Sequence, residues 1–283
     1  MATQVTGIDK FVSVNGLRLH YLDWGNRGSR PIIMLHGLRG FAHEWDGISR
    51  ELCDRYHVLA LDQWGRGDSA WDPEANYNTD AYISDLEQLI EHLNLDKFIL
   101  IGHSMGGGNA LNYTSKHPAK VVGLVMEDVG PRSSKPSPGR ERIAQEMVSA
   151  PDEFASWAEA EAITRRERPL ATPEALKVRL ENTLKRLPNG KITWKYDIRG
   201  FQKARANPSG QIDLWPLVRN LQCPTLVLRG AVSDVFSRET AQEMARANPK
   251  VQWIEVPNAD HYLNDDNPEV VKREVSRFLE RIK

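Results

Sequence analysis

A short apolar run that ends in a glycine-flanked serine constrains the fold of this chain more than any other stretch. Residues 98–101 are all apolar and lead directly into Gly102-His103-Ser104-Met105-Gly106. A serine on a sharp turn between a strand and a helix is held in a strained conformation, and glycines beside it let the neighbouring backbones pass closely. The pattern therefore predicts a strand, a turn that presents the Ser104 hydroxyl, and a helix through residues 109–113.

Strand-like and helix-like segments alternate along most of the sequence. Six apolar runs predict buried strands, at residues 32–35, 58–61, 98–101, 121–126, 224–228 and 251–256. An antiparallel hairpin precedes them, because residues 11–14 and 17–22 alternate around the turn signal Asn15-Gly16. This order indicates an α/β fold with a mainly parallel, eight-stranded sheet and helices on both faces.

Residues 132–210 interrupt the alternation. The stretch opens with a polar, proline-rich connector at 132–139 and continues as charged helical sequence with scattered aromatic residues and no convincing buried strand. Because it is short and charged for an independent core, we expect its aromatic side chains to face the main body. We predict a helical cap at 132–210, inserted into a core domain formed by residues 1–131 and 211–283.

The composition disfavours several classes of partner. The chain has 37 basic and 38 acidic residues and a net charge of −1, so no overall field favours nucleic acid or an anionic membrane. The N-terminus has no signal-like pattern, and no run of about 18 apolar residues occurs, so we expect a cytoplasmic protein. Cys53 and Cys223 are interpreted as buried apolar residues rather than as a disulfide or metal pair.

Polar side chains follow the predicted strands. Those directly after a strand are His36, Asp62, Ser104, Asp128, Asp234 and His261. In parallel sheets, functional residues collect at the carboxyl ends of the strands, so we expect one edge to gather this set. A serine nucleophile needs a base, and the base needs an acid that orients it. The sequence offers Ser104, Asp234 and His261 in an order known for such triads.

The acid has two candidates. Asp234 follows the seventh strand and is preferred, while Asp128 follows the sixth strand and is the alternative. Asp260 is disfavoured because a side chain next in sequence to His261 points elsewhere. His36, His103, Asp62 and Arg66 are interpreted as residues that shape loops or line the pocket.

These motifs together resemble the α/β-hydrolase family, in particular its smaller cap-bearing esterases and lactonases. The resemblance covers His36-Gly37, the Gly65-Arg66-Gly67 loop, the Ser104 motif, Asp234 and His261. It implies that Ser104 attacks a carbonyl, that His261 transfers its proton and that Asp234 orients His261. It also implies an oxyanion hole formed by the backbone N–H groups of Leu38 and Met105, with no cofactor or metal.

The sequence thus predicts a serine hydrolase of small carboxylic esters or lactones that works through an acyl-enzyme. A serine at position 104 argues against the dehalogenase and epoxide-hydrolase branches, which place an aspartate there. A C–C bond hydrolase or a cofactor-free perhydrolase would keep the same triad. A small-molecule receptor on this fold is the alternative from another class.

Overall fold

The computed structural model describes residues 5–131, 137–206 and 212–282. Its strands are β1 (Ile8–Val14), β2 (Leu17–Asp23), β3 (Pro31–Leu35), β4 (His57–Asp62), β5 (Phe98–His103), β6 (Val121–Glu127), β7 (Glu153–Phe154), β8 (Leu184–Arg186), β9 (Ile192–Trp194), β10 (Thr225–Gly230) and β11 (Val251–Val256). Its α-helices are α1 (Asp46–Leu52), α2 (Thr79–His92), α3 (Met105–Lys116), α4 (Pro138–Ser149), α5 (Trp157–Glu167), α6 (Pro173–Thr183), α7 (Ile198–Ala206), α8 (Trp215–Arg219), α9 (Arg238–Ala247), α10 (Leu263–Asp266) and α11 (Pro268–Leu279).

Eight of these strands form one sheet in the order β1-β2-β4-β3-β5-β6-β10-β11. β2 is antiparallel to both β1 and β4, whereas β4, β3, β5, β6, β10 and β11 run parallel to one another. The predicted hairpin is present, and Asn15 and Gly16 both have positive φ, as a tight turn between twisted strands requires. The prediction of an eight-stranded, mainly parallel sheet is confirmed.

Helices cover both faces of the sheet. α2 begins where the Asn78 side chain accepts a hydrogen bond from the Ala81 N–H, at 3.0 Å, which satisfies one of the free donors of the first turn. Its buried residues Tyr82, Ile83, Leu86 and Leu89 belong to one of two apolar clusters at the sheet, and the buried side of α11 belongs to the other. The apolar strands, buried on both faces, therefore form the core that holds the strand ends in place.

The segment 137–206 differs from its sequence-based prediction. The expectation that it lacks strands is wrong, because β7, β9 and β8 form a small antiparallel sheet. It also has an apolar cluster of its own, which includes Phe154, Ile192 and Trp194 and packs against Leu38 and Tyr77 of the main body. Strands of two or three residues are too short to show an alternating pattern in the sequence.

The predicted cap boundaries at 131/132 and 210/211 adjoin residues 132–136 and 207–211, which lie outside the described residues. The division into core and cap therefore stays a prediction. Among the described residues, no helix has the length and apolar character needed to cross a membrane.

Candidate active site

The Ser104 turn has the strained geometry that its sequence predicts. Ser104 lies between the end of β5 and the start of α3, with φ 51° and ψ −116°. A methyl group at Gly102 would lie 2.5 Å from the carbonyl oxygen of Gly106, and one at Gly106 would collide with the carbonyl of Leu35. Only glycine fits at both positions, so the sequence enforces a turn that presents the serine hydroxyl.

A continuous chain of hydrogen bonds joins Ser104, His261 and Asp128. The His261 Nε2 atom lies 2.9 Å from Ser104 Oγ, and its Nδ1 atom lies 2.8 Å from Asp128 Oδ2. Because an ionised carboxylate only accepts hydrogen bonds, the imidazole proton belongs on Nδ1, which leaves Nε2 to accept from the hydroxyl. This geometry fits proton transfer from Ser104 to His261.

Asp128 is buried within a set of donors at the end of β6. Its Oδ1 atom accepts from the Gly230 N–H at 2.9 Å, and its Oδ2 atom accepts from the Ser233 hydroxyl at 2.6 Å. Burial raises the pKa of the Asp128 carboxyl, while the hydrogen bonds from Ser233 and Gly230 act in the opposite direction and favour its charged form. The carboxylate is therefore fixed to face the imidazole.

Asp234 does not contact His261, and the prediction that it orients the histidine is wrong. Its carboxylate instead pairs with Arg142 of α4, with contacts of 3.0 and 3.2 Å, and its side chain is 38% exposed. The physical reason is the position in its loop. Asp234 comes four residues after β10 ends, so the chain has already turned outward, whereas Asp128 comes directly after β6, the strand beside β5.

The surroundings of His261 favour its neutral form. Burial and the nearby Arg168 cation lower its pKa, and Asp260 acts in the opposite direction. His103 supports the same loop, because its Nε2 lies 2.8 Å from the His261 carbonyl oxygen and donates to it. Burial also holds the pKa of His103 well below its usual range, so this histidine serves as a neutral donor.

The turn that carries Leu38 lies against the Ser104 turn. A methyl group at Gly37 would lie 3.4 Å from Ser104 Cβ, and Leu38 and Met105 both line the cavity above the serine. Met105 is the first residue of α3, so its N–H has no acceptor within the helix. The two predicted oxyanion residues are thus brought to the same place.

Arg66 contacts both the turn that carries Leu38 and the first residue of α3, Met105. Its Nε donates to the Leu38 carbonyl at 2.9 Å, and its Nη2 lies 3.4 Å from the Met105 sulfur. The guanidinium is completely buried and lies 3.9 Å from the centre of the Phe201 ring. Arg66 therefore has a positioning role that fits its interpretation as a loop-shaping residue.

His36 and Asp62 lie away from the proton-transfer chain. The His36 Nδ1 donates to the Gly37 carbonyl at 2.8 Å, and its Nε2 accepts from the Gln63 N–H at 2.9 Å. Asp62 accepts from the backbone of Ala42 and contacts His20 Nδ1 at 2.7 Å. Both side chains organise loops, as the sequence suggested.

Within the described part of the chain, a candidate metal-ligand group occurs at His20, Asp62 and Asp68, whose ligand atoms lie within 4.8 Å of one another. The polar atoms already have partners, since His20 contacts Asp62 and Asp9, and an Asp62 oxygen accepts from the Asp68 N–H at 3.0 Å. These contacts give the His20 ring and the Asp62 carboxylate partners within the protein.

A cavity of about 850 Å³ opens above Ser104. Its walls come from the strand ends of the main body and from the segment 137–206, which contributes Ile143, Met147, Arg168 and Phe201. The volume is in the range of pockets that enclose small organic molecules.

Sequence reasoning missed two charged residues of this cavity, Glu44 and Arg168. The Oε1 atom of Glu44 and the Nη1 atom of Arg168 are buried and have no hydrogen-bond partner among the described residues. Burial raises the pKa of Glu44 to about 8 and lowers the pKa of Arg168 to about 9. In the sequence, nothing distinguishes Arg168 from its neighbours Arg165 and Arg166, which are exposed.

The fold and site together define an α/β hydrolase, and the comparison with known families agrees. Residues 30–268 match the alpha/beta hydrolase fold family, and the chain belongs to it.

Several similar proteins are named as hydrolases. A 3-hydroxybutyrate-oligomer hydrolase of Cupriavidus necator is 32% identical over 269 residues, covering 90% of this chain and 91% of the relative. A 2-(acetamidomethylene)succinate hydrolase of Mesorhizobium japonicum is 27% identical over 255 residues, covering 90% of each. A crystal structure of E-2-(acetamidomethylene)succinate hydrolase superposes with a TM-score of 0.87 at 25% identity, covering 97% of this chain and all of that one.

Proposed function

We propose that this protein is a serine hydrolase that cleaves small carboxylic esters or lactones through an acyl-enzyme intermediate. The observation that carries the proposal is the hydrogen-bonded chain from Ser104 through His261 to Asp128. It lies at the base of a cavity large enough for a small ester. Each group thus has the partner that nucleophilic catalysis by serine requires.

The first step forms a bond between Ser104 Oγ and the substrate carbonyl carbon. As that bond forms, His261 Nε2 accepts the hydroxyl proton, and the carbonyl π-electrons move to oxygen. Asp128 accepts the Nδ1–H hydrogen bond and stabilises the imidazolium that results. The lowered pKa of His261 keeps the imidazole neutral and ready to accept the proton at neutral pH.

The negative oxygen of the tetrahedral intermediate needs donors that are already in place. We assign this role to the backbone N–H groups of Leu38 and Met105, which line the cavity next to Ser104. A single donor of this kind is typically worth about 3 kcal/mol of transition-state stabilisation. The Arg66 bond to the Leu38 carbonyl holds one of the two turns.

Collapse of the intermediate breaks the bond to the alcohol oxygen, which takes the proton from His261 Nε2. The acyl group stays on Ser104, and the alcohol leaves. A water molecule then gives a proton to His261 and attacks the acyl carbon through a second tetrahedral intermediate, which returns the proton to Ser104 and releases the acid. Proton transfer needs no group beyond those described.

Hydrolysis of a panel of p-nitrophenyl esters and lactones, graded by acyl length and ring size, tests the proposal. We expect turnover of short-chain members, and we expect Ser104→Ala to lower kcat/KM by at least about 10³-fold. The control is Ser149→Ala, which removes the hydroxyl of an exposed serine of α4 and for which we expect wild-type rates.

Two results would overturn the proposal. One is a purified, folded protein that turns over no member of the panel yet binds a small molecule, which would favour the receptor alternative. The other is hydrolysis that persists at wild-type rates in the Ser104→Ala protein. Cleavage of carbon–carbon substrates with no turnover of esters would favour the C–C hydrolase alternative instead.

A further inference from the structure

Three buried arginines line the wall of the cavity: Arg39, Arg168 and Arg179. A buried guanidinium is costly unless carboxylates or other acceptors satisfy its charge and its donors. Comparing the partners of the three therefore shows which of them is available to a ligand.

Arg39 and Arg179 each bind a carboxylate of the protein. Arg39 Nη2 lies 2.8 Å from Glu167 Oε2 and Arg39 Nη1 lies 3.5 Å from Glu146 Oε2, so two carboxylates balance its charge, although its Nε and Nη1 have no hydrogen-bond partner among the described residues. Arg179 contacts Asp265 Oδ2 through Nη2 at 2.9 Å and Nε at 3.0 Å. Arg179 also donates to the Arg39 carbonyl at 3.1 Å. These contacts hold the segment 137–206 against the main body. Both arginines are therefore already paired with carboxylates of the protein.

Arg168 differs from both. Its closest ion-pair contact among the described residues is 4.0 Å, from Nε to the same Asp265 oxygen that Arg179 already binds. Its Nη1 atom is buried and has no hydrogen-bond partner within the described ranges. The side chain is only 3% exposed and lines the cavity, so an acceptor for Nη1 would reach it from the cavity.

The Arg168 guanidinium lies close to the proposed reacting groups. Its guanidinium carbon lies 3.0 Å from the centre of the Tyr262 ring, and that ring lies 5.0 Å from the imidazole of His261. Arg168, Tyr262, His261 and Ser104 all line the same cavity. Burial and the positive charge of Arg168 both lower the pKa of His261.

We propose that Arg168 binds a carboxylate carried by the substrate, so that the preferred substrates are esters with a free acid group near the reacting carbonyl. The inference rests on the proposed function and deepens it by naming the substrate class. A carboxylate presents two acceptor oxygens in the plane of the guanidinium and supplies the acceptor that Nη1 lacks.

The surroundings favour a single negative charge over a phosphate dianion. Asp265 and Glu167 are close enough to act on Arg168 electrostatically. A dianion would be repelled by these carboxylates more strongly than a monoanion would. A carboxylate is therefore the anion that Arg168 accommodates best.

Matched substrates test the proposal through turnover. The mono-p-nitrophenyl esters of succinic, glutaric and adipic acid are each compared with the same compound blocked as its methyl ester. For the best chain length, we expect kcat/KM of the acid to exceed that of the blocked compound. We expect Arg168→Gln to lower this ratio at least tenfold, mainly through KM, and Arg168→Lys to retain part of the preference. The control is Arg166→Gln, which removes an exposed arginine two positions away and should leave the ratio unchanged.

A ligand-binding experiment tests the same proposal without requiring turnover. Glutarate is added to the Ser104→Ala protein and to the Ser104→Ala/Arg168→Gln protein, and the rise in Tm is compared with that caused by glutaramide and by inorganic phosphate. We expect glutarate to stabilise only the protein that keeps Arg168. If Arg168→Gln does not fold, Arg168→Lys takes its place in both arms, with weaker binding and a reduced ratio expected.

An acid-to-neutral ratio within twofold of wild type in folded Arg168→Gln would overturn the inference, and so would stabilisation by phosphate but not by glutarate. Either result would leave the proposed function intact if neutral esters are still hydrolysed in a Ser104-dependent way. Conversely, Arg168-dependent glutarate binding without any ester turnover would support the carboxylate site and reject the proposed function.

Discussion

The loops after β6 and β10 leave neighbouring strands of one sheet, and each carries an aspartate, yet the two carboxylates have different environments. Asp128 is completely buried and receives hydrogen bonds from His261, Ser233 and Gly230. Asp234 is exposed and holds Arg142 of α4. The distance of a residue from the end of its strand thus decides whether its side chain reaches the site or the surface.

The largest expected effect comes from exchanging each acid for its amide. Asp128→Asn removes the carboxylate that orients His261 and stabilises its charged form, and we expect kcat/KM for a short p-nitrophenyl ester to fall by about 10³- to 10⁴-fold. Asp234→Asn provides the matched control in the neighbouring loop. A greater loss in Asp234→Asn than in Asp128→Asn would reverse our assignment of the acid.

Ser233 connects the two loops, because it follows β10 but donates to Asp128 of the β6 loop at 2.6 Å. Hydrogen bonds to charged groups contribute about 1.5–3 kcal/mol, so we expect Ser233→Ala to lower kcat/KM by about 10- to 100-fold. Ser233→Thr keeps the hydroxyl and should retain more of the activity. Equal losses in the alanine and threonine variants would mean that packing, rather than the hydrogen bond, accounts for the effect.

The pH dependence of kcat/KM reports the pKa of His261 and the effect of nearby charges on it. His261 acts as a base only when neutral, so activity declines as the pH falls through its pKa. Burial and Arg168 lower that pKa, and we therefore expect the acidic limb to have its midpoint below pH 6.5. Arg168→Gln removes a positive charge and should move the midpoint upward. A wild-type midpoint above pH 6.5, measured with the neutral ester, would contradict this account.

The smallest expected effect is on the stability of the protein when the exposed Asp234 carboxylate is removed. The Arg142–Asp234 pair is about one-third exposed on both sides, and such pairs contribute about 0–1 kcal/mol. We expect Asp234→Asn to lower the free energy of unfolding by less than about 1 kcal/mol, as measured by urea denaturation. A loss of several kcal/mol would show that this ion pair is a principal anchor of α4.

Much of the fold could be predicted because its signals are local. Apolar runs identify the buried strands, and Asn15-Gly16 identifies the hairpin. Next to Ser104, neighbouring backbone atoms occupy the space that a side chain at Gly102 or Gly106 would need, so both positions require glycine. The helix predicted through residues 109–113 lies within α3 (Met105–Lys116). In each case, the responsible residues are within a few positions of the feature that they determine.

The segment 137–206 was harder to predict because its structure depends on distant partners. Its small sheet joins residues about 40 positions apart, such as Glu153 and Thr193. Its place above Ser104 depends on pairs between separate elements, including Arg179 with Asp265 and Tyr77 with Asp197. Charged residues in a helical sequence do not reveal which of them will be buried against such partners.

The sequence by itself determined the sheet, the turn that presents Ser104 and the presence of His261 after the last strand, since these follow from local sterics and from the burial of apolar strands. Only the tertiary structure decided that Asp128 rather than Asp234 meets His261 and that Arg168 lies in the cavity wall with a buried Nη1 that has no hydrogen-bond partner among the described residues. The physical reason is that hydrogen bonds and charge pairs depend on distances of a few ångströms between residues far apart in the chain. Strand order and loop direction set those distances.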